Sequence, residues 1–198
     1  MKRIDIVKRV MFATALIPAG WLVYGAFTDN LSANPIDYIT DWTGLTALSF
    51  LAISLSITPL RRLTGWNEII GLRRMLGLFA FFYACLHVTT WAVIDLFFDL
   101  PRMAEDIVKR PFITIGMATF LLLLPLAITS NAAMIRRLGK RWQQLHRLAY
   151  VAAITAVIHF WWVVKADFRD PRLWALAFSV LFGFRAWWML RTRLSSRS

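Results

Sequence analysis

Six runs of mostly apolar residues, separated by short charged or turn-forming segments, leave this chain little choice of fold. They cover residues 10–27, 42–60, 75–94, 112–128, 145–164 and 173–190. A helix needs about 20 such residues to cross about 30 Å of hydrocarbon. Backbone groups in lipid must bond within their own segment, which selects helices over open sheets. The expected fold is therefore all-α, an integral membrane bundle of six transmembrane helices. The chain is 59% hydrophobic and only 17% charged, too apolar for a core bounded by water. The connections are short, as between packed helices. No linker, low-complexity segment or internal repeat is evident, so residues 1–198 read as one domain. Lys2, Arg3, Lys8 and Arg9 precede the first run as in a signal peptide. No small-x-small cleavage site follows, so the run reads as a retained helix.

Orientation follows from lysine and arginine. The N-terminal tail, the 61–74 loop, the 131–147 segment and the C-terminal end hold 17 of the 23 basic residues. The opposite side holds Arg102, Lys109, Arg110, Lys165, Arg169 and Arg172, with nine of the 11 acids. The basic side is expected to be cytoplasmic, with both termini there, in a multi-pass protein of the bacterial inner membrane surrounded by lipid. The net charge of +12 is spread between apolar runs, and there is no zinc-finger spacing or Gly-rich phosphate loop. No nucleic-acid partner is expected. Cys85 is the only cysteine, which excludes an intrachain disulfide and C-x-x-C haem attachment.

The chain has three histidines, His87, His146 and His159, all in apolar runs. Ionisable residues there are costly and mark function. At about 1.5 Å per residue, His87 lies about 20 Å of helix past Arg74, and His159 about 25 Å past Trp142. Both therefore reach the outer half of the bilayer at similar depth. Two neutral imidazoles at one level can fill both axial positions of a haem iron. Gly77, Ala80, Ala84 and His87 are spaced 3, 4 and 3, as are Ala149, Ala152, Ala156 and His159. Each set is a stripe of small residues on one helix face, ending in a histidine. Two such stripes make a groove for a flat macrocycle, although small stripes also serve ordinary helix packing in membranes.

His146 lies about 20 Å of helix before His159. The matching position on the third run is Arg74 rather than histidine. Three roles stay open to His146: ligand of a second haem, contact to a flavin or quinone, or a hydrogen bond within the bundle. Around it lie Arg73, Arg74, Arg141, Trp142, Gln143, Gln144, Arg147 and Arg185. Arginine matches phosphate or carboxylate oxygens, and indole stacks on flat rings. The same arginines would also serve as interface residues that snorkel to water. On the other side, Asp95, Asp99, Glu105 and Asp106 form an acidic cluster, either a solvated loop or a dock for a basic partner. No nucleophile elbow, zinc-protease motif or buried carboxylate pair is present, so no catalytic residue is assigned.

The stretches Arg73-Arg74-Met75-Leu76-Gly77-Leu78, Cys85-Leu86-His87 and Leu138-Gly139-Lys140-Arg141-Trp142-Gln143-Gln144-Leu145-His146-Arg147-Leu148-Ala149-Tyr150 resemble the MsrQ family. Its members are haem-binding membrane subunits of bacterial methionine sulfoxide reductase systems, related to the ferric-reductase and NADPH-oxidase transmembrane domain. The resemblance runs over essentially the whole chain. It implies haem b on His87 and His159, a third family histidine at His146, and FMN. It also implies electrons from the quinone pool or a cytoplasmic flavin reductase. They would pass to MsrP, a periplasmic molybdopterin enzyme that reduces methionine sulfoxide in oxidised proteins and would form a heterodimer with this subunit. The broader oxidase family has two histidines on each of two helices, whereas this chain has one on the third run. With little sequence after the sixth run, no flavin- and NADPH-binding domain is expected. The rival expectation is a cofactor-free transporter or proton-relay protein. That would call for broken helices and buried acids, for which Pro18 and Pro125 are the nearest signs.

Overall fold

The computed structural model describes residues 3–164 and 168–195. Lys2, Lys165 and Arg197, used above for orientation, lie outside them. The described residues form helices α1 (Arg3–Phe27), α2 (Pro35–Thr64), α3 (Ile70–Thr89), α4 (Leu100–Lys109) and α5 (Pro111–Ile128). Then follow α6 (Ala132–Leu138), α7 (Lys140–Leu145), α8 (Leu148–Val163) and α9 (Arg169–Ser195). A 3₁₀ turn leads into α3 and a π-helical turn, Thr90–Asp95, continues it. Among the described residues no strand occurs.

Among the described residues, five helices are long and apolar enough to cross a membrane: α1, α2, α3 with its flanking turns, α5 and α9. The expected fifth run is divided. α7 ends at Leu145, and α8 resumes at Leu148 with 16 residues, about 24 Å of helix. The six-run reading thus meets five helices of full spanning length and one shorter helix. Gly139, at φ 50°, turns the chain between α6 and α7, a conformation that glycine adopts without a Cβ clash.

The centre is two helix pairs. α2 packs along α3, and α5 packs along α8. Ser54 Oγ donates to Arg73 O at 2.9 Å in the first pair. Thr119 Oγ1 donates to Thr155 Oγ1 at 2.8 Å in the second. α3 meets α5, where the Phe81 and Phe120 rings stack at 5.6 Å. α1 flanks α2 and α3, and α9 flanks α2 and α8. Leu55, Leu76, Tyr83, Ala152 and Ala153 are buried at the centre. Phe12, Ile17, Val23, Leu121, Val180 and Leu190 face outward, as expected of a bundle with lipid as its solvent.

Pro18 lies inside α1, which stays helical through it, and side chains of α2 and α3 bond the backbone beside it. A helical proline removes one backbone N–H and disturbs the turn before it. Here the buried Tyr83 hydroxyl donates to Ala15 O at 2.7 Å and accepts from Ala19 N–H at 3.1 Å. A regular α-helix would bond those two groups to each other. Trp42 Nε1 then donates to Pro18 O at 3.2 Å. This proline fastens α1 to α2 and α3.

The acidic cluster is largely built into α4. Asp99 caps the helix by accepting from Arg102 N–H at 3.1 Å. Glu105 pairs with Lys109 at 2.5 Å, and Asp106 with Arg110 at 3.2 Å.

Candidate functional site

His87 on α3 and His159 on α8 face each other. Their ring centroids are 6.0 Å apart and their planes 81° apart. Each ring is held the same way. His87 Nδ1 donates to Thr40 O at 2.9 Å, and His159 Nδ1 donates to Phe112 O at 2.7 Å. A carbonyl only accepts, so Nδ1 carries the proton in both rings and each Nε2 presents its lone pair. A backbone carbonyl behind the ring is the usual second partner of a metal-bound histidine.

A metal–imidazole bond is about 2 Å, and the ring centre lies about 1 Å beyond the bonded nitrogen, so two axial imidazoles on one ion stand about 6 Å apart. The observed 6.0 Å therefore fits two axial ligands of a haem iron. Among the described residues, no cluster of three His, Cys, Asp or Glu could hold a metal by itself. A group bringing its own equatorial ligands suits the pair better than a bare ion.

The small stripes sit between these histidines and the basic end of the bundle. Ala80 and Ala152 are buried. Ala84 and Ala156 are partly buried against the core. A Cβ at Gly77 would stand 3.5 Å from Ser54 Oγ. Gly77 and Ala149 also line a cavity of about 1010 Å³ at the basic end. That volume is at the upper limit of ordinary cofactor and ligand pockets, about 1,000 Å³.

Of the residues expected around His146, the cavity wall gathers Arg73, Arg74, Trp142, Gln143, His146, Arg147 and Arg185. Arg141 and Gln144 are not on it. Arg62 and Tyr150 are, in addition. His146 lies in the bend between α7 and α8. Its ring stacks on Trp142 with centroids 3.9 Å apart, and its Nε2 is 3.1 Å from Thr129 Oγ1. The Thr129 hydroxyl donates to Pro125 O at 2.6 Å, so it accepts from His146 Nε2–H. Trp142 Nε1 donates to Thr129 O at 3.0 Å. Thr129, at the end of α5, thus positions both rings, and His146 Nδ1 keeps its lone pair.

Arg185 is buried on α9. Its Nη2 donates to Leu55 O at 2.5 Å, and its guanidinium lies 4.8 Å from the Tyr150 ring centroid. Among the described residues, Nε and Nη1 have no hydrogen-bond acceptor. A buried cation with unused donors on a cavity wall is set up to receive an anionic group.

Residues 42–157 match the family described as "Ferric reductase like transmembrane component". A protein of Herminiimonas arsenicoxydans is 52% identical over 194 residues, 96% of this chain and 89% of its own length. Its name is "Protein-methionine-sulfoxide reductase heme-binding subunit MsrQ". The chain belongs to the MsrQ family. A Ralstonia nicotianae protein of the same name is 46% identical, covering 96% of this chain and 89% of its own length. One from Bordetella pertussis is 45% identical, covering 93% and 92%. No solved structure matches.

Within this MsrQ-family chain, sequence reasoning reached the histidines but not what holds them. Thr40 and Phe112 act through backbone carbonyls, which leave no mark in a side-chain pattern. The available signal was glycine. Gly44 and Gly116 each lie four residues after one of those carbonyls and abut the histidine ring. They also reveal a repeat that was not evident in the sequence. One constant shift along the chain carries Thr40, Gly44 and His87 onto Phe112, Gly116 and His159, and Arg74 onto His146.

Proposed function

We propose that this chain is a transmembrane electron-transfer subunit that carries electrons from its basic, cytoplasmic end to an extracytoplasmic methionine sulfoxide reductase. The observation that carries this reading is the His87–His159 pair, 6.0 Å apart with each Nδ1 tied to a helix carbonyl. A haem b held there would supply one-electron redox chemistry, its potential tuned by the axial ligands, their hydrogen bonds and burial. His87 and His159 would be its ligands. The Thr40 and Phe112 carbonyls fix their tautomers and orientations. The apolar walls around them exclude water.

The cavity at the basic end is the receiving site. Trp142 and His146 offer a stacked aromatic wall to a flat redox ring of the flavin or quinone class. FMN would meet its requirements through a phosphate on the spare donors of Arg185, near Arg73 and Arg74. The positive-inside distribution supports six passages, with both termini in the cytoplasm of a bacterial cell and α8 completing the set. The relatives' names place them in a protein-methionine-sulfoxide reductase. On that basis the partner is the periplasmic molybdopterin subunit MsrP, which would carry out sulfoxide reduction itself.

The deciding experiment is a visible spectrum of the detergent-purified protein, oxidised and reduced, beside His87→Ala and His159→Ala. A six-coordinate b-type spectrum lost or changed in both variants supports the reading. A colourless wild type from haem-replete cells would overturn it and favour a transporter or proton relay.

A further inference from the structure

We propose that Gly44 and Gly116 are positioning residues for the two imidazoles: each exposes the helix carbonyl four residues before it, so that the carbonyl can accept the histidine Nδ1–H. This rests on His87 and His159 being haem ligands.

In an α-helix the carbonyl of residue i points along the axis to the N–H of residue i+4. The side chain of residue i+4 stands close to that bond. A second donor reaches the carbonyl from outside with least obstruction where this side chain is absent. Thr40 O accepts from His87, and the residue four positions later is Gly44. Phe112 O accepts from His159, and the residue four positions later is Gly116. In both bonds donor and acceptor are 47 residues apart. The chain has nine glycines in 198 residues, so glycine at both places is a coincidence that the shared geometry explains.

The space is already used. A Cβ on Gly44 would lie 3.1 Å from both Cε1 and Nδ1 of His87. On Gly116 it would lie 2.8 Å from the same two atoms of His159, closer than packed carbon and nitrogen atoms approach. The ring cannot yield and keep its place, because Nδ1 is tied to a helix carbonyl while the opposing histidine ring stands 6.0 Å away between centroids. A methyl group here must turn the ring, stretch the Nδ1–H···O bond, or displace the helix. Gly20 and Gly183 have nothing within 4 Å of a built Cβ and serve as controls.

The test compares ferric EPR spectra and midpoint potentials of the full-length, haem-loaded wild type, Gly44→Ala, Gly116→Ala and Gly20→Ala. Gly116→Ala is expected to shift the low-spin g values, because the angle between ring planes changes. Its potential should rise, because an imidazole without its Nδ1–H acceptor is a weaker donor to ferric iron. Gly44→Ala should move both readouts in the same direction by less, and Gly20→Ala should move neither. Wild-type spectra and potentials in both site variants would overturn the proposal. If Gly116→Ala does not accumulate, Gly44→Ala with its milder contact decides alone. If His87→Ala and His159→Ala leave the haem spectrum unchanged, the ligand reading falls and this proposal with it. If they abolish it while both glycine variants match the wild type, only the glycine assignment is lost.

Discussion

The His87 and His159 rings stand nearly perpendicular, 81° between planes, with centroids 6.0 Å apart. Near-parallel axial imidazoles give a rhombic low-spin ferric EPR signal, whereas perpendicular ones give a highly anisotropic signal dominated by one large g value. The ferric wild type should show the second kind. Single replacement of either histidine by alanine should convert the iron to a high-spin or five-coordinate form, or empty the site. A rhombic spectrum in the wild type would mean that the bound rings do not keep the angle seen here.

That relationship also shows how far the sequence could be read. Matched depth and matched small stripes sufficed to pair His87 with His159, because both are one-dimensional properties of a helix. The apolar runs were equally legible, since lipid permits a long apolar stretch few other folds. The division of the fifth run was not. Its apolar pattern continues through Leu145–Val164, while the bend at His146 depends on tertiary bonds to Thr129 on another helix. Arg185 and Leu55 lie 130 residues apart, and nothing local pairs them. Arg141 and Gln144 were drawn to the site by nearness in sequence, yet α7 turns them off the cavity wall.

Tyr83→Phe removes only the hydroxyl that bridges Ala15 O and Ala19 N–H beside Pro18. Both backbone groups then lose their partner in an apolar setting, at a cost of about 1–3 kcal/mol. A lower midpoint of thermal unfolding in detergent, followed by helical circular dichroism, is expected. The haem spectrum should persist, because α3 keeps its packing against α2. An unchanged midpoint would show that Ala15 and Ala19 rejoin once the hydroxyl is gone.

Thr129→Val keeps side-chain volume but removes the acceptor for His146 Nε2–H. It spares the carbonyl that holds Trp142. His146 should lose its fixed orientation while the His87–His159 pair is untouched. The expected result is slower haem reduction from the basic end in proteoliposomes, with unchanged EPR. Wild-type reduction rates would assign His146 to packing alone.

Arg185 separates two readings of the basic cavity. A guanidinium that only snorkels would lie exposed at its charged end, but Arg185 is buried, with Nε and Nη1 lacking acceptors. A buried, unpaired charge is costly, and its replacement by an apolar residue of similar length is often neutral or stabilising. Arg185→Met should therefore fold at least as well as the wild type. If the spare donors hold an anionic cofactor, its affinity should fall by about 10- to 100-fold, the equivalent of a charge-assisted hydrogen bond. Arg185→Lys should recover only part, since an ammonium lacks the planar fork. Flavin retained after purification, measured by fluorescence of the released cofactor, reads the outcome for FMN. Where the wild type carries none, a titration of haem reduction with a soluble quinol reads it instead. Equal retention and equal quinol dependence in Arg185→Met and the wild type would remove Arg185 from the site and leave its burial a matter of helix packing.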